Sequence, residues 1–318
     1  MRVYLVLLCL PLLQPEGRVR PDSAGCSSPE ALRMAEEALE QVNQDRTDGY
    51  ILSLNRLYDI SHTPETEGGA LVYKLSIDVM ETECHIISRK PWKQCEVKSI
   101  AKAPVYGECE MSIYVDSEVK LQSYTCALRE VPATAILDQC PDCPTADDVN
   151  TPVVKDTANL SLQKFNKKSS QTNYFRLENV TRASSQWVDG PAYFVEFTIV
   201  ETVCSKKTDP GEVKNCPPMD CRFTRRGFCF GSHVTANDGF PQQNVEVKCE
   251  IFNSQGQAHA EAGSKDVGQQ PTADPAVSCA RSSRGTVVNQ PAPVRSSPAA
   301  RSCPSPHRHN IGISNLGF

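Results

Sequence analysis

LVYKLSIDVMETEC, Leu71 to Cys84, and AYFVEFTIVETVC, Ala192 to Cys204, are two versions of one segment, and their match decides the fold. Outward from them the chain repeats itself. Upstream, Tyr50-Ile51-Leu52-Ser53-Leu54-Asn55 answers Tyr174-Phe175-Arg176-Leu177-Glu178-Asn179. Further upstream, Ser28-Pro29 and Thr151-Pro152 each place a hydroxyl N-cap before proline at the first helical position. Ala31, Ala35, Ala38 and Val42 then follow helical spacing, as do Val154, Ala158, Leu162 and Phe165. Both helices end near an asparagine, Asn43 and Asn166. Downstream, Cys84, Cys95, Cys109 and Cys126 answer Cys204, Cys216, Cys229 and Cys249. The offset drifts only from 120 to 124 residues along the whole match.

One helix followed by a run of strands is an α+β pattern. The chain is therefore expected to hold two tandem domains, each an antiparallel sheet wrapped on one N-terminal helix. Residues 21–138 form the first, 146–253 the second, and 139–145 link them. The repeat implies local disulfides Cys84–Cys95, Cys109–Cys126, Cys204–Cys216 and Cys229–Cys249, each stabilising by ~2–4 kcal/mol.

The 318 residues carry 15 cysteines, a formal charge of −5 and 39% hydrophobic residues. So many cysteines point away from a reducing cytosol. Arg2 followed by the apolar run to Leu13 fits a secretory signal, with residues 1–20 assigned to it and the cut between Pro15 and Gly25. No segment is long enough to span a membrane. The mature chain is expected to be secreted and monomeric, with no nucleic-acid partner and no cofactor. Cys9 would leave with the signal, and fourteen cysteines would remain.

Residues 254–318 hold ten serines, seven prolines and no tyrosine or tryptophan. Such a composition buries too little apolar surface to offset ordering entropy, so a disordered tail is expected. Cys26 lacks a partner in its own repeat and is assigned to Cys303. Cys221 and Cys279 are left over and could pair. Asn159-Leu160-Ser161 and Asn179-Val180-Thr181 are N-glycosylation sequons.

Enzyme signatures are missing: no Gly-x-Ser-x-Gly elbow, His-Glu-x-x-His helix or phosphate loop is present. Two segments stand out instead. Gln186-Trp187-Val188-Asp189-Gly190-Pro191 lies between two predicted strands and should form a hairpin tip. Its tryptophan either binds a partner or folds back on its own domain. Cys140-Pro141-Asp142-Cys143-Pro144 lies between the repeats, outside a zinc or thioredoxin-like context. It reads either as a crosslinked rigid linker or as a small disulfide ring presenting the Asp142 carboxylate to a metal ion with an open position.

Taken together, the tandem cysteine ladder, the Cys-Pro-Asp-Cys-Pro linker and the tail resemble the fetuins, two-domain members of the cystatin superfamily. Gln186-x-Val188-x-Gly190 matches the cystatin hairpin pattern. The run Val180 to Val188, with Gly190-Pro191, Tyr193 to Glu196, Asp45-Arg46-x-Asp48-Gly49-Tyr50 and Glu81 to His85, resembles the B-type branch of that family. The resemblance implies a secreted inhibitor of astacin-type zinc metalloproteases that protects the egg coat from premature hardening. It implies that the linker enters the protease cleft and that Asp142 binds the protease zinc. It implies further that the hairpin Gln186 to Pro191 enters beside it, and that the first-domain counterpart, His62 to Gly69, contributes less.

Two rivals remain at this level. Gln186-x-Val188-x-Gly190 also suits a cystatin-type inhibitor of cysteine proteases, although the linker occupies the place of a free N-terminal arm. A fetuin-A-like carrier of calcium phosphate would use acidic residues on the first sheet. Asp78, Glu81 and Glu83 do not form a dense acidic lattice there.

Overall fold

The computed structural model describes residues 25–63, 71–188, 190–220, 224–235, 243–253, 283–291 and 294–310. The expected signal (residues 1–20), most of His62–Gly69, and Cys221 and Cys279 lie outside them. Each repeat is a long helix against an antiparallel sheet. In the first, α1 (Pro29–Asp45) precedes β1 (Tyr50–Thr63), β2 (Leu71–His85), β3 (Val105–Val115) and β4 (Val119–Glu130). After a short helix, α2 (Ala133–Gln139), and a two-residue strand, β5 (Thr145–Ala146), the pattern recurs. It runs through α3 (Pro152–Lys168), β6 (Asn173–Trp187), β7 (Pro191–Ser205), β8 (Arg226–Thr235) and β9 (Gln243–Phe252). With β10 (Gly285–Asn289) from the tail, sheet order is β1-β2-β3-β4-β10 in the first domain and β5-β6-β7-β8-β9 in the second.

The helices form where the sequence places them. Ala31, Met34, Ala35, Ala38, Leu39 and Val42 line one buried face of α1. That face packs on the core-facing residues of the strands, among them Leu52, Leu54, Leu75, Ile77 and Val79. In α3, Val154, Ala158 and Leu162 do the same against Phe175, Val195, Phe197 and Ile199. The expected hydroxyl caps differ in detail. Neither Ser28 nor Thr151 makes a side-chain capping bond, and each helix instead opens on proline at its first turn.

The two asparagines do more than mark helix ends. Asn43 Nδ2 donates to Leu52 O at 2.8 Å and Asn43 Oδ1 accepts from Leu52 N at 2.8 Å. Asn166 repeats this with Phe175, at 2.7 and 3.0 Å. Both brackets sit where the strand pairing slips, between Tyr50 and Leu52 and between Asn173 and Phe175. A bulge leaves backbone groups unpaired, and the amide supplies the missing partner.

The expectation of a disordered tail is corrected over its described part. β10 (Gly285–Asn289) adds a parallel fifth strand beside β4. Beyond it the chain reaches the opposite edge of the sheet, where Ser305 N donates to Leu57 O at 2.8 Å and Arg308 N to Asn55 O at 2.8 Å. Asp59 accepts from the backbone N–H groups of Ala299 and Ala300, and Arg295 pairs with Asp78. The bonds that order this stretch come from its backbone and from first-domain carboxylates, so a serine- and proline-rich composition does not forbid them. Cys26–Cys303 fastens it, joining residues 277 apart. The structure also holds Cys84–Cys95, Cys109–Cys126, Cys204–Cys216 and Cys229–Cys249.

The domains meet around Tyr50. Arg182 and Lys98 lie over its ring, 4.8 and 3.6 Å from the centroid. Its hydroxyl donates to Glu196 and sits 3.0 Å from Thr181 Oγ1. Lys98 Nζ is 2.9 Å from Glu196, and Arg182 reaches back to Glu81 at 2.5 Å and to Ala103 O at 3.1 Å. Two cations thus face two carboxylates across a largely buried boundary. Burial pushes the Glu196 carboxyl up, but Lys98 and Arg182 outweigh it and hold the group below its ordinary range. Removing one partner of such a cluster strands a buried charge. Lys98→Met is expected to lower unfolding free energy by about 3–5 kcal/mol, read from urea unfolding.

His85 stacks on Phe228 of the second domain at 4.9 Å. Burial lowers its pKa to about 4, with Asp48 and Glu196 opposing and Lys98 and Arg46 reinforcing. The unfolded chain then binds the proton more readily, so stability falls as pH drops through the window from 6.5 to about 4. At about pH 5 the loss is about 2 kcal/mol relative to neutral pH. Denaturant unfolding at stepped pH should show this slope, and His85→Gln should flatten it.

Candidate functional site

The linker is held at both ends. Upstream, Ile136 of α2 is buried with Met80, Ala103, Tyr106, Val131 and Cys143 in a small apolar cluster on the first domain. Cys140 N donates to Ile136 O at 2.8 Å, and Cys143 N to Cys140 O at 3.0 Å. A four-residue turn results, and the Cys140–Cys143 disulfide closes it, with Cα atoms 5.3 Å apart. Cys143 faces the cluster, whereas Pro141 and Asp142 are exposed. Downstream of Pro144, Thr145 pairs with Ser185 and Ala146 with Ser184 of β6, and Asp147 N donates to Ala183 O at 3.0 Å. The ring is therefore rooted on one domain and stitched to the other.

The strand it is stitched to carries the hairpin. Gln186 pairs with Ala192 and Trp187 with Pro191, leaving Val188 to Gly190 as the tip. Asp189 lies outside the described residues. Gly190 has φ 140°, a conformation that strains any residue with a Cβ. Trp187 is 73% exposed and Val188 49%. The tryptophan does not fold back onto its own domain. Leu137, Pro141, Asp142, Trp187, Pro191 and Tyr193 line one groove of about 330 Å³. The two segments singled out in the sequence, 44 residues apart from Asp142 to Gln186, thus share one concave surface.

Asp142 has neither an ion pair nor a hydrogen bond among the described residues, so its carboxylate is open to an incoming cation. Among those residues no cluster of three His, Cys, Asp or Glu side chains suits a metal ion. A carboxylate on a rigid ring beside an exposed aromatic is suited to bind an external electrophilic centre and to cover its surroundings. Leu137, 41% exposed, and Tyr193 belong to the groove and were missed in the sequence. An exposed apolar residue three positions before the Cys-Pro-Asp-Cys turn was the available signal for Leu137. Asn159 on α3 and Asn179 on β6 are both exposed.

Comparison with known proteins agrees with this architecture. The Cystatin domain family matches residues 143–231. Human fetuin-B is 36% identical over 281 residues, covering 86% of this chain and 71% of its own length. The chain belongs to the fetuin-B family. It spans 60–71% of the length of the curated fetuin-B relatives it matches. The solved complex of mouse fetuin-B with crayfish astacin superposes at TM-score 0.65 and 32% identity, covering 90% of this chain and 77% of that one. The inhibitory complex of human meprin beta with mouse fetuin-B gives 0.62 and 35%, covering 73% and 74%. Among the described residues no helix is long and apolar enough to cross a membrane.

The exposure of Trp187 separates folding from binding. Trp187→Ala should leave the unfolding free energy within about 0.5 kcal/mol of the parent. The same change should weaken binding of the partner described next by about 2 kcal/mol, read by titration calorimetry.

Proposed function

We propose that this protein is an inhibitor, not an enzyme, and that its targets are astacin-type zinc metalloproteases. The observation that carries the reading is the shared groove: an unpaired Asp142 on a closed ring, set beside the exposed Trp187 of a stitched hairpin. The two fetuin-B complexes, one with astacin and one with meprin beta, support the choice of target class.

A protease zinc keeps an open position for water, and the metal activates that water as the nucleophile. Asp142 is suited to take the open position and displace the water. The ring then acts as a poor substrate, because its disulfide, Pro141 inside it and Pro144 just after it fix the backbone. Little ordering entropy remains to be lost on binding. Trp187, Val188 and Pro191 add apolar contact area beside the metal and close the cleft to substrates. With this reading goes protection of the egg coat from premature hardening, and glycans on Asn159 and Asn179.

The rival readings receive less support. The chain before the second domain is paired into the sheet at Thr145 and Ala146, which leaves no free arm for a papain-like cleft. Four acidic residues of the first sheet are individually paired. Asp78 pairs with Arg56 and Arg295, Glu81 with Arg182, Glu83 with Lys102 and Glu108 with Arg129. Paired carboxylates make a weak template for calcium phosphate.

Asp142→Ala should raise the inhibition constant against an astacin-type protease at least about 30-fold, as expected when one partner of a buried charge contact is removed. Its unfolding curve should match the parent's. Unchanged inhibition by that variant, or equal inhibition of papain by the parent, would count against the reading.

A further inference from the structure

The two domains treat their lysines differently. In the first, five of six lysines, Lys90, Lys93, Lys98, Lys102 and Lys120, each lie 2.5–2.9 Å from a carboxylate, and Lys74 is exposed. In the second, no lysine is in an ion pair among the described residues. Lys164 and Lys206 donate to backbone carbonyls instead. Lys167, Lys168, Lys207 and Lys214 are exposed.

These residues gather at one end of the domain. Lys206 N donates to Thr172 O at 3.0 Å, and Lys206 Nζ donates to Asn166 O at the end of α3. Lys206 is thereby held against the end of α3 that carries Lys167 and Lys168, and Lys207 follows it in the chain. The Cys204–Cys216 bridge, with Cα atoms 6.0 Å apart, draws in the 3-10 turn Pro210–Asn215 that carries Lys214. The acids of that turn are Asp209, which caps Gly211 N at 2.8 Å, and the exposed Glu212.

Lysine at a helix C-terminus has an ordinary explanation, since it complements the carbonyl dipole. The duplication supplies a control. Asn43 and Asn166 hold the same bracket in the two domains, and the residues after them are Gln44-Asp45 in one and Lys167-Lys168 in the other. The first helix thus ends stably on an acid, so the fold does not demand lysine there. Asp45 instead accepts from Ser283 Oγ at 2.6 Å and Arg284 N at 2.8 Å, anchoring the tail. Lys168 stands in the matching place.

We infer that this end of the second domain binds a sulfated polysaccharide of the heparan class. Four unpaired ammonium groups on a surface of a chain with net charge −5 select a polyanion. The six disulfides among the described residues place that polyanion in an oxidising compartment, where extracellular polysaccharide is the abundant source. Single-stranded nucleic acid would need free aromatic faces for its bases, and Lys206 already covers Tyr174 at 4.6 Å. β6 begins at this end and finishes at Trp187, so the patch lies about 45 Å from the groove at 3.3 Å per residue. The inhibitor can then be tethered to a matrix while its groove stays free.

The test uses the full chain and a heparin dodecasaccharide, titrated calorimetrically at graded sodium chloride. The parent should bind at about 50 mM salt and weaken steeply as salt rises, as counterion release requires. Lys167→Glu, Lys168→Glu and Lys207→Glu combined should lose at least about tenfold in affinity and flatten the salt slope. The same three positions changed to Gln should lose affinity in the same direction. Inhibition of an astacin-type protease should be unchanged in all of them. A first-domain set, Lys74→Glu, Lys93→Glu and Lys120→Glu, should leave heparin affinity as in the parent. No heparin binding by the parent, equal loss in the first-domain set, or equal affinity for single-stranded RNA or phosphatidylserine vesicles would overturn the assignment.

Discussion

The contact on which this architecture depends is the packing of Lys98 and Arg182 over the ring of Tyr50. Each cation is answered by a carboxylate of the other domain, Glu196 for Lys98 and Glu81 for Arg182. With its charges largely buried, such a set tolerates little sliding, because any displacement leaves a charge unpaired. Apolar contact alone would give the same two sheets a range of relative tilts. Arg182 lies on the strand that runs on to the hairpin, and Ala103, whose carbonyl it holds, belongs to the cluster beneath Cys143. The lock is thus close to both halves of the groove and fixes their separation.

The groove itself is an answer to a conflict. A segment that binds a partner must be accessible, yet accessible segments are usually mobile and costly to order on binding. Here the exposed positions, Asp142 and Trp187, are each one or two residues from a fixed one. Cys143 is packed on the first domain, and Ser185 is paired to Thr145. Strain is confined to Gly190, where the residue type makes it harmless.

Much of this was legible in the sequence, and the remainder was not for specific reasons. The duplicated helices and strands were readable because buried faces impose period on the residues, and cysteines keep register where apolar residues drift. The linker and hairpin were visible because their residue types are unusual for their positions. Thr145–Ala146 left no trace, since two residues carry no periodicity. The interdomain lock joins Tyr50, Glu81 and Lys98 to Arg182 and Glu196 across 84 residues or more, a distance at which lone charges look like any solvated surface. The tail misled for a physical reason as well. Composition reports what a segment can bury, and this one is ordered by backbone bonds donated to Leu57, Asn55 and Asp59. Asn43 and Asn166 were noticed as helix stops, whereas their work is to complete a slipped strand.

The Cys26–Cys303 bond makes the chain a closed loop enclosing both domains, the linker and the hairpin. A single backbone cut anywhere inside that loop opens the ring without releasing a fragment. Both pieces stay joined through the sulfur atoms, and every non-covalent contact described above can persist around the nick. For a molecule whose proposed targets are peptide-cleaving enzymes, occasional cleavage then becomes a local injury rather than a dissociation.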